Sequence, residues 1–273
     1  MKVALIGCGA IGTLLAKAID RGQAGDATLK IVYDLKPEKC KELASKLRTK
    51  PKIASSPAKI YADKTVDLVV EAAAQTAVRQ YALNILRYGK DLMVMSVGAF
   101  SDEKLLKSVL AAAKKTGRKV HIPSGAILGI DGVKAAGVEN IRDVTLTTRK
   151  PPVALVYSDY VKKRGIKLEK LKKPLVLFEG PARKAVKLFP ASVNVSATLS
   201  LAGIGFDKTK VRIIADPKTK RNIHEIRVRG DAGELVVEAR NLPMPDAPRT
   251  SKLAALSAVR TLRSLSESLQ VGT

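Results

Sequence analysis

Tryptophan is missing from the chain, and aromatic residues together make up only 4% of it. A core with so few rings must be filled by Ala, Val, Ile and Leu, the composition of α/β proteins. The same scarcity leaves few platforms for stacking bases, which disfavours a nucleic-acid reader. Cysteine occurs only as Cys8 and Cys40. That is too few for a disulfide framework and lacks metal-ligand spacing, so no metal site is expected and a reducing, cytoplasmic compartment is. Long apolar runs are also lacking. Val3-Ala4-Leu5-Ile6 is broken at Gly7, too short for a signal-peptide core or a bilayer span, so a soluble protein is expected. Acidic residues are outnumbered, 25 Asp and Glu against 49 Lys and Arg, a formal charge of +24. A basic surface serves nucleic-acid binding, steering of anionic ligands, or simple solvation. Because the basic residues are scattered, a Lys-rich solvated exterior with some anion steering is the reading adopted, and neither nucleic acid nor membrane is an expected partner.

What is present is regular alternation. The 273 residues are enough for two modest domains. Val3–Ile6, Leu29–Tyr33, Val66–Val70, Asp91–Ser96 and Lys119–Ile122 read as strands. Between them, helices follow Gly12, open at Pro37, span Gln75–Arg87 and run from a Ser101 cap to Lys115. This order implies a Rossmann-type doubly wound parallel sheet with right-handed crossovers over residues 1–122. Beyond Ser124 strands follow one another with few helices, and Gly230-Asp231-Ala232-Gly233 fits a hairpin turn. Residues 123–248 are therefore a second α/β domain with a largely antiparallel open sheet. Leu242–Pro248 carries three prolines and reads as an irregular, rigid linker. Leu253, Leu256, Val259, Leu262 and Leu265 then recur at helical spacing, which makes 249–273 a terminal helix packing back on the first domain.

The string Gly7-Cys8-Gly9-Ala10-Ile11-Gly12 follows a strand and opens a helix. In that context Gly7 permits a tight turn, Gly9 lets backbone approach a pyrophosphate, and Gly12 allows close packing of helix on strand. Ala10 and Ile11 begin the helix whose positive end faces the phosphates. Asp34 ends the second strand roughly twenty residues further on, where a carboxylate meets the ribose hydroxyls of a dinucleotide. The plainer alternative is a glycine-rich turn with Asp34 as a helix cap. Asp34 would repel a 2′-phosphate and favours NAD; Lys36 beside it offsets that repulsion and leaves NADP open.

Two histidines exist, His121 and His224. His224 shares a strand face with Ile226 and Val228, the inward face. It reads either as a hydrogen-bonded core residue or as an acid-base catalyst. His121 lies near the last strand of the first domain and fits a structural or rim role. No G-x-S-x-G elbow is present, which disfavours a serine hydrolase.

The strings Phe189-Pro190-Ala191-Ser192-Val193-Asn194-Val195-Ser196-Ala197-Thr198-Leu199-Ser200-Leu201-Ala202, Arg221-Asn222-Ile223-His224-Glu225-Ile226 and Ser124-Gly125-Ala126-Ile127-Leu128-Gly129-Ile130-Asp131-Gly132 resemble the signature segments of the L-aspartate dehydrogenase family. The likeness spans essentially the whole chain. It implies that the second domain supplies the substrate pocket and dimer contacts, that the terminal helix completes the first domain, and that the protein is a homodimer. It implies further that His224 is the catalytic residue and that Ala126 and Asn194 contact the nicotinamide cofactor. The implied reaction is reversible oxidation of L-aspartate with NAD or NADP to iminoaspartate, which yields oxaloacetate and ammonia or feeds NAD biosynthesis. Leu128 stands where a smaller residue is expected, narrowing the pocket beside the nicotinamide. Neutral His224, with an ordinary pKa of ~6.5, would accept the amine proton. Lys134, Arg149, Lys150 and backbone N–H groups after Ser124 are candidate donors for the substrate carboxylates. Other readings are a homoserine dehydrogenase-like or dihydrodipicolinate reductase-like oxidoreductase, and a non-catalytic NAD-sensing or nucleic-acid-binding protein.

Overall fold

A computed structural model of the chain describes residues 1–190, 193–245 and 247–272. Thus Ala191 and Ser192 of the quoted signature lie outside the described residues. The chain divides into two compact units, Met1–Pro123 with Ala255–Gln270, and Ser124–Ala254 with the last residues from Val271.

In the first unit, strands β1 (Lys2–Ile6), β2 (Thr28–Tyr33), β3 (Lys52–Ile53), β4 (Leu68–Glu71), β5 (Asp91–Val94) and β6 (Val120–His121) alternate with helices α1 (Ala10–Asp20), α2 (Pro37–Ser45), α3 (Pro57–Ala62), α4 (Gln75–Arg87) and α5 (Glu103–Thr116). The sheet is parallel throughout, in the order β3-β2-β1-β4-β5-β6. Strand order reverses beside β1, and ligands of such sheets bind at the carboxyl ends of the strands at that point. Val3, Ala4, Leu5 and Ile6 are all buried, as expected of a strand covered on both faces. Pro37 occupies the first turn of α2, where its missing N–H costs nothing.

Two details differ from the sequence reading. Asp102, not Ser101, caps α5: its Oδ1 accepts from the N–H groups of Lys104 and Leu105, each at 3.1 Å. A carboxylate is the stronger acceptor at a helix N-terminus, and Ser101 is drawn into the preceding 3-10 turn. Between β2 and β4 lie β3 and α3, absent from the sequence reading because a two-residue strand and a six-residue helix are too short to show a periodicity.

The second unit contains β7 (Ile141–Lys150), β8 (Leu175–Pro181), β9 (Lys210–Ala215), β10 (Asn222–Gly230) and β11 (Gly233–Asn241), with helices α6 (Ile130–Ala136), α7 (Asp159–Lys163), α8 (Ala182–Leu188) and α9 (Asn194–Ala202). The sheet order is β11-β10-β7-β9-β8. All neighbouring pairs are antiparallel except β7 with β9. The β10–β11 hairpin turns at Asp231-Ala232, with Gly230 opposite Gly233. Gly230 has no room for a side chain, since a β-carbon there would lie 2.5 Å from the Asn140 carbonyl oxygen. One sheet face is dry: Val144, Leu146, Ile226 and Val228 are buried on it. Gly129, at the start of α6, carries φ +71°, and a β-carbon there would meet a Val237 methyl at 3.0 Å. Helix α6 is therefore seated directly on β11.

The segment read as an irregular linker is instead a small antiparallel ladder, β12 (Pro243–Met244) against β13 (Ala247–Ser251). Pro243 and Pro248 sit in a two-stranded ribbon, where a missing N–H leaves no central strand unpaired. Helix α10 (Lys252–Ser264) follows. Ala258, Val259 and Leu262 of α10 join Val3, Leu5 and Leu15 in the first unit's core. The expected stripe needs correction, because Leu256 and Leu265 are exposed while Ala255 and Ala258 are buried. A strict i, i+3 series drifts around a helix of 3.6 residues per turn, and the buried face follows i, i+3, i+4 instead.

Candidate active site

Strand β1 leads straight into the glycine string. Gly7 has φ +103°, a conformation that L side chains avoid, and a β-carbon there would strike the Ala72 backbone at 2.6 Å. Its N–H donates to the Tyr33 carbonyl, 2.7 Å. A β-carbon at Gly12 would lie 1.9 Å from the Gly7 carbonyl oxygen, so α1 can approach β1 this closely only with glycine there. Gly9 is different. It stands at the N-cap of α1 with no side chain capping the helix, and a β-carbon built on it meets nothing within 4 Å. The first-turn residues Ala10 and Ile11 thus follow a bare stretch of backbone at the positive end of a helix dipole.

Asp34 closes the other side. Its Oδ2 accepts from the Cys8 N–H at 2.8 Å and its Oδ1 from the Lys36 N–H at 3.0 Å. Each oxygen retains a lone pair for a further donor. A cleft of about 240 Å³ opens here, lined among others by Gly7, Gly9, Asp34, Lys39, Ala72 and Tyr81. Lys39 is the lysine that lines it; Lys36 is tied to Asp34 through its backbone. These residues fit a dinucleotide: a bare helix end for the pyrophosphate and a carboxylate with spare acceptor capacity for the ribose. Cys8 Sγ lies 3.6 Å from Cys40 Sγ beneath the loop. Burial, then the Cys40 sulfur beside it, pushes the Cys8 thiol well above its ordinary range. Neither thiol is a reactive one.

The second cluster is built on β7 and β10. Alternation sends Asn222, His224, Ile226 and Val228 inward, and Thr148 and Lys150 inward from β7. His224 lies directly opposite Thr148, with 3.0 Å between Thr148 Oγ1 and His224 Nδ1. That contact engages Nδ1 of the ring. His224 is 2% exposed. Burial, and then the charge of Lys150, lowers its pKa to about 3. The ordinary imidazole value assumed from sequence does not hold, because the ring is dehydrated beside an ammonium group. Lys150 is itself 2% exposed, its pKa lowered to about 8 by burial and then by Arg249. Its Nζ donates to the Arg249 carbonyl, 2.9 Å. A cationic, dehydrated cluster of this kind suits an anionic ligand.

Three further residues enter that sequence reasoning did not select: Thr148, Asn222 and Asn241. Asn222 pairs opposite Asn241 across β10 and β11, and Asn241 Nδ2 donates to the Ala126 carbonyl at 2.9 Å. Ala126 is thereby fixed beside the sheet. A β-carbon at Gly125 would sit 3.7 Å from Val195 Cγ1, so the Ser124–Gly129 loop adjoins the start of α9, where Asn194 stands. The polar inward positions of β7 and β10 were the available signal: Thr-x-Lys and Asn-x-His on strands otherwise apolar inside.

Other candidates lie elsewhere. Arg149 points to the opposite face of β7 from Lys150 and pairs with Asp216 at 2.9 Å, so it does not join the cluster. Lys134 is exposed on α6 and Ser124 half-buried. Leu128, read as narrowing a pocket, is 46% exposed. His121 Nε2 lies 3.8 Å from Asp91 Oδ2 on the edge strand β6, and burial holds its pKa below the ordinary value against the pull of Asp91. Among the described residues no group of three or more His, Cys, Asp or Glu could hold a metal ion, and no helix is long and apolar enough to cross a membrane.

Known proteins resemble this chain along its whole length. Residues 131–265 match the family model "Aspartate dehydrogenase, C-terminal". Residues 7–123 match "Homoserine dehydrogenase, NAD binding domain". The chain is 48% identical to the L-aspartate dehydrogenase of Methanosarcina acetivorans and 49% identical to that of Methanosarcina mazei, each over 100% of both chains. The crystal structure of aspartate dehydrogenase from Thermotoga maritima superposes with a TM-score of 0.78 at 31% identity, covering 100% of this chain and 99% of that one. With a dinucleotide-binding unit, a buried histidine on the second sheet and full-length identity at this level, the chain belongs to the L-aspartate dehydrogenase family.

Proposed function

We propose that the protein catalyses the reversible, NAD-dependent oxidative deamination of L-aspartate to iminoaspartate, which hydrolyses to oxaloacetate and ammonia or serves NAD biosynthesis. One arrangement carries this reading: a neutral imidazole, His224, oriented by Thr148 and set beside the buried ammonium of Lys150. The full-length relatives that bear this activity in their names support the choice of substrate.

A nicotinamide cofactor, when bound, would supply the hydride acceptor. This chain's residues supply the rest. Backbone at Gly9, Ala10 and Ile11 would receive the pyrophosphate, and Asp34 would accept from the ribose hydroxyls, which favours NAD over NADP. Ala126 and Asn194 would hold the nicotinamide end. Lys150 receives a substrate carboxylate, assisted by backbone N–H groups after Ser124. His224 Nε2 accepts the proton released as the amine becomes an imine, and returns one in the reverse direction. A dicarboxylate ligand offsets the Lys150 charge, and so raises the proton affinity of His224 when the base is needed. The unit of residues 1–123 with 255–270 acts as the nucleotide domain and that of residues 124–254 as the substrate and dimerisation domain of a cytoplasmic homodimer.

The match of residues 7–123 to a homoserine dehydrogenase model marks the competing substrate. Purified protein assayed with NAD should reduce it in the presence of L-aspartate and not of L-homoserine. The opposite pattern overturns the proposal.

A further inference from the structure

Asn222 and His224 stand two residues apart on one face of β10, a spacing of ~7 Å along a strand. Asn222 is 0% exposed. Its Nδ2 donates to the Pro248 carbonyl at 3.1 Å, and that bond fixes which way round the amide lies. The partner atom, Oδ1, is buried, and no donor among the described residues reaches it. Native interiors rarely leave a buried carbonyl oxygen without a donor. An amide oxygen can only accept, so what belongs beside it is an N–H or O–H.

We propose that Asn222 Oδ1 accepts a hydrogen bond from the α-amino group of the substrate, holds that nitrogen near His224, and makes the site select for an amine at the reacting carbon. The inference rests on the reading of this cluster as the substrate site of an amino-acid dehydrogenase. Three features of the ligand then have a complement on the sheet: Lys150 for one carboxylate, His224 for the departing proton, Asn222 for the nitrogen. The bond strengthens as the nitrogen takes on iminium character, since its hydrogens become better donors. The oxo-acid product has no hydrogen at that position, so its carbonyl oxygen faces Oδ1 acceptor to acceptor, and the contact that held the amine is lost after hydrolysis.

The test compares L-aspartate with succinate, which keeps both carboxylates and lacks only the amine. Titration calorimetry on the NADH-loaded enzyme measures both affinities with no turnover. Wild type should bind aspartate more tightly than succinate. In Asn222→Leu, aspartate binding should weaken by about tenfold to hundredfold, the effect of losing one hydrogen bond to a charged donor, while succinate binding stays within about threefold. Asn222→Asp keeps an acceptor but loses the Pro248 contact, so its preference for aspartate over succinate should be retained. Parallel weakening of both ligands in Asn222→Leu would show a residue that merely props the β13 strand, and overturns the inference. If the leucine variant does not fold, the aspartate variant decides: loss of the preference there overturns it equally. Wild-type enzyme that oxidises aspartate yet binds both ligands alike sinks the inference alone, whereas failure to oxidise aspartate sinks the functional reading beneath it.

Discussion

Thr148 and His224 face each other across the β7–β10 ladder, hydroxyl to Nδ1 at 3.0 Å, although 76 residues separate them in the chain. The contact selects the ring orientation and, in the mechanism proposed, leaves Nε2 for chemistry. Thr148→Val keeps the shape and removes the bond. The expected result is a kcat for aspartate oxidation reduced by about tenfold, the effect of one orienting hydrogen bond, with NADH affinity unchanged by fluorescence titration.

Lys150 offers a measurable proton. Burial and Arg249 lower its pKa to about 8, and a carboxylate placed beside it must raise that value again. Binding of succinate to the NADH-loaded enzyme at pH 8 should therefore take up as much as about half a proton. Calorimetry in two buffers of different ionisation enthalpy reads this directly. Lys150→Met should abolish the uptake and weaken succinate binding.

Folding stability should carry the signature of His224. Its pKa is lowered from the ordinary 6.5 to about 3 in the folded state, so between those values the unfolded chain binds more protons. Stability from this residue is then intact above pH 6.5 and is lost as pH falls toward 3, by on the order of 4 kcal/mol. Denaturant titrations of wild type and His224→Gln across that window should show a shallower pH dependence in the variant.

Cofactor choice should turn on Asp34. Its carboxylate holds the Cys8 and Lys36 N–H groups and opposes a 2′-phosphate, while Lys39 lines the same cleft. Asp34→Ser should lower kcat/KM for NAD and raise it for NADP, shifting the ratio by about tenfold or more. Comparison of the two cofactors in steady-state assays checks the direction.

Much of this was readable from the chain alone because it is local. The glycine spacing, the strand before it and Asp34 after it lie within a single βαβ unit, where short-range spacing and geometry coincide. Alternation on β10 likewise turns His224 inward from the sequence pattern alone. What stayed hidden depends on register between distant strands. Nothing near Thr148 announces its partner, and Arg149 and Lys150 look equivalent until the pleat sends them to opposite faces. Asn222 gave a signal in hindsight, a polar residue on an inward strand position beside a histidine. The β12–β13 ribbon was misread because three prolines mask a short ladder, and the α10 stripe because alanines, not leucines, form its buried face.

His224 is the proposed proton acceptor on which the chemistry turns. The most direct measurement is kcat/KM for L-aspartate with NAD in His224→Ala, alongside NADH affinity. A loss of ~10²–10⁴-fold with NADH binding intact is the predicted result; turnover equal to wild type would contradict it.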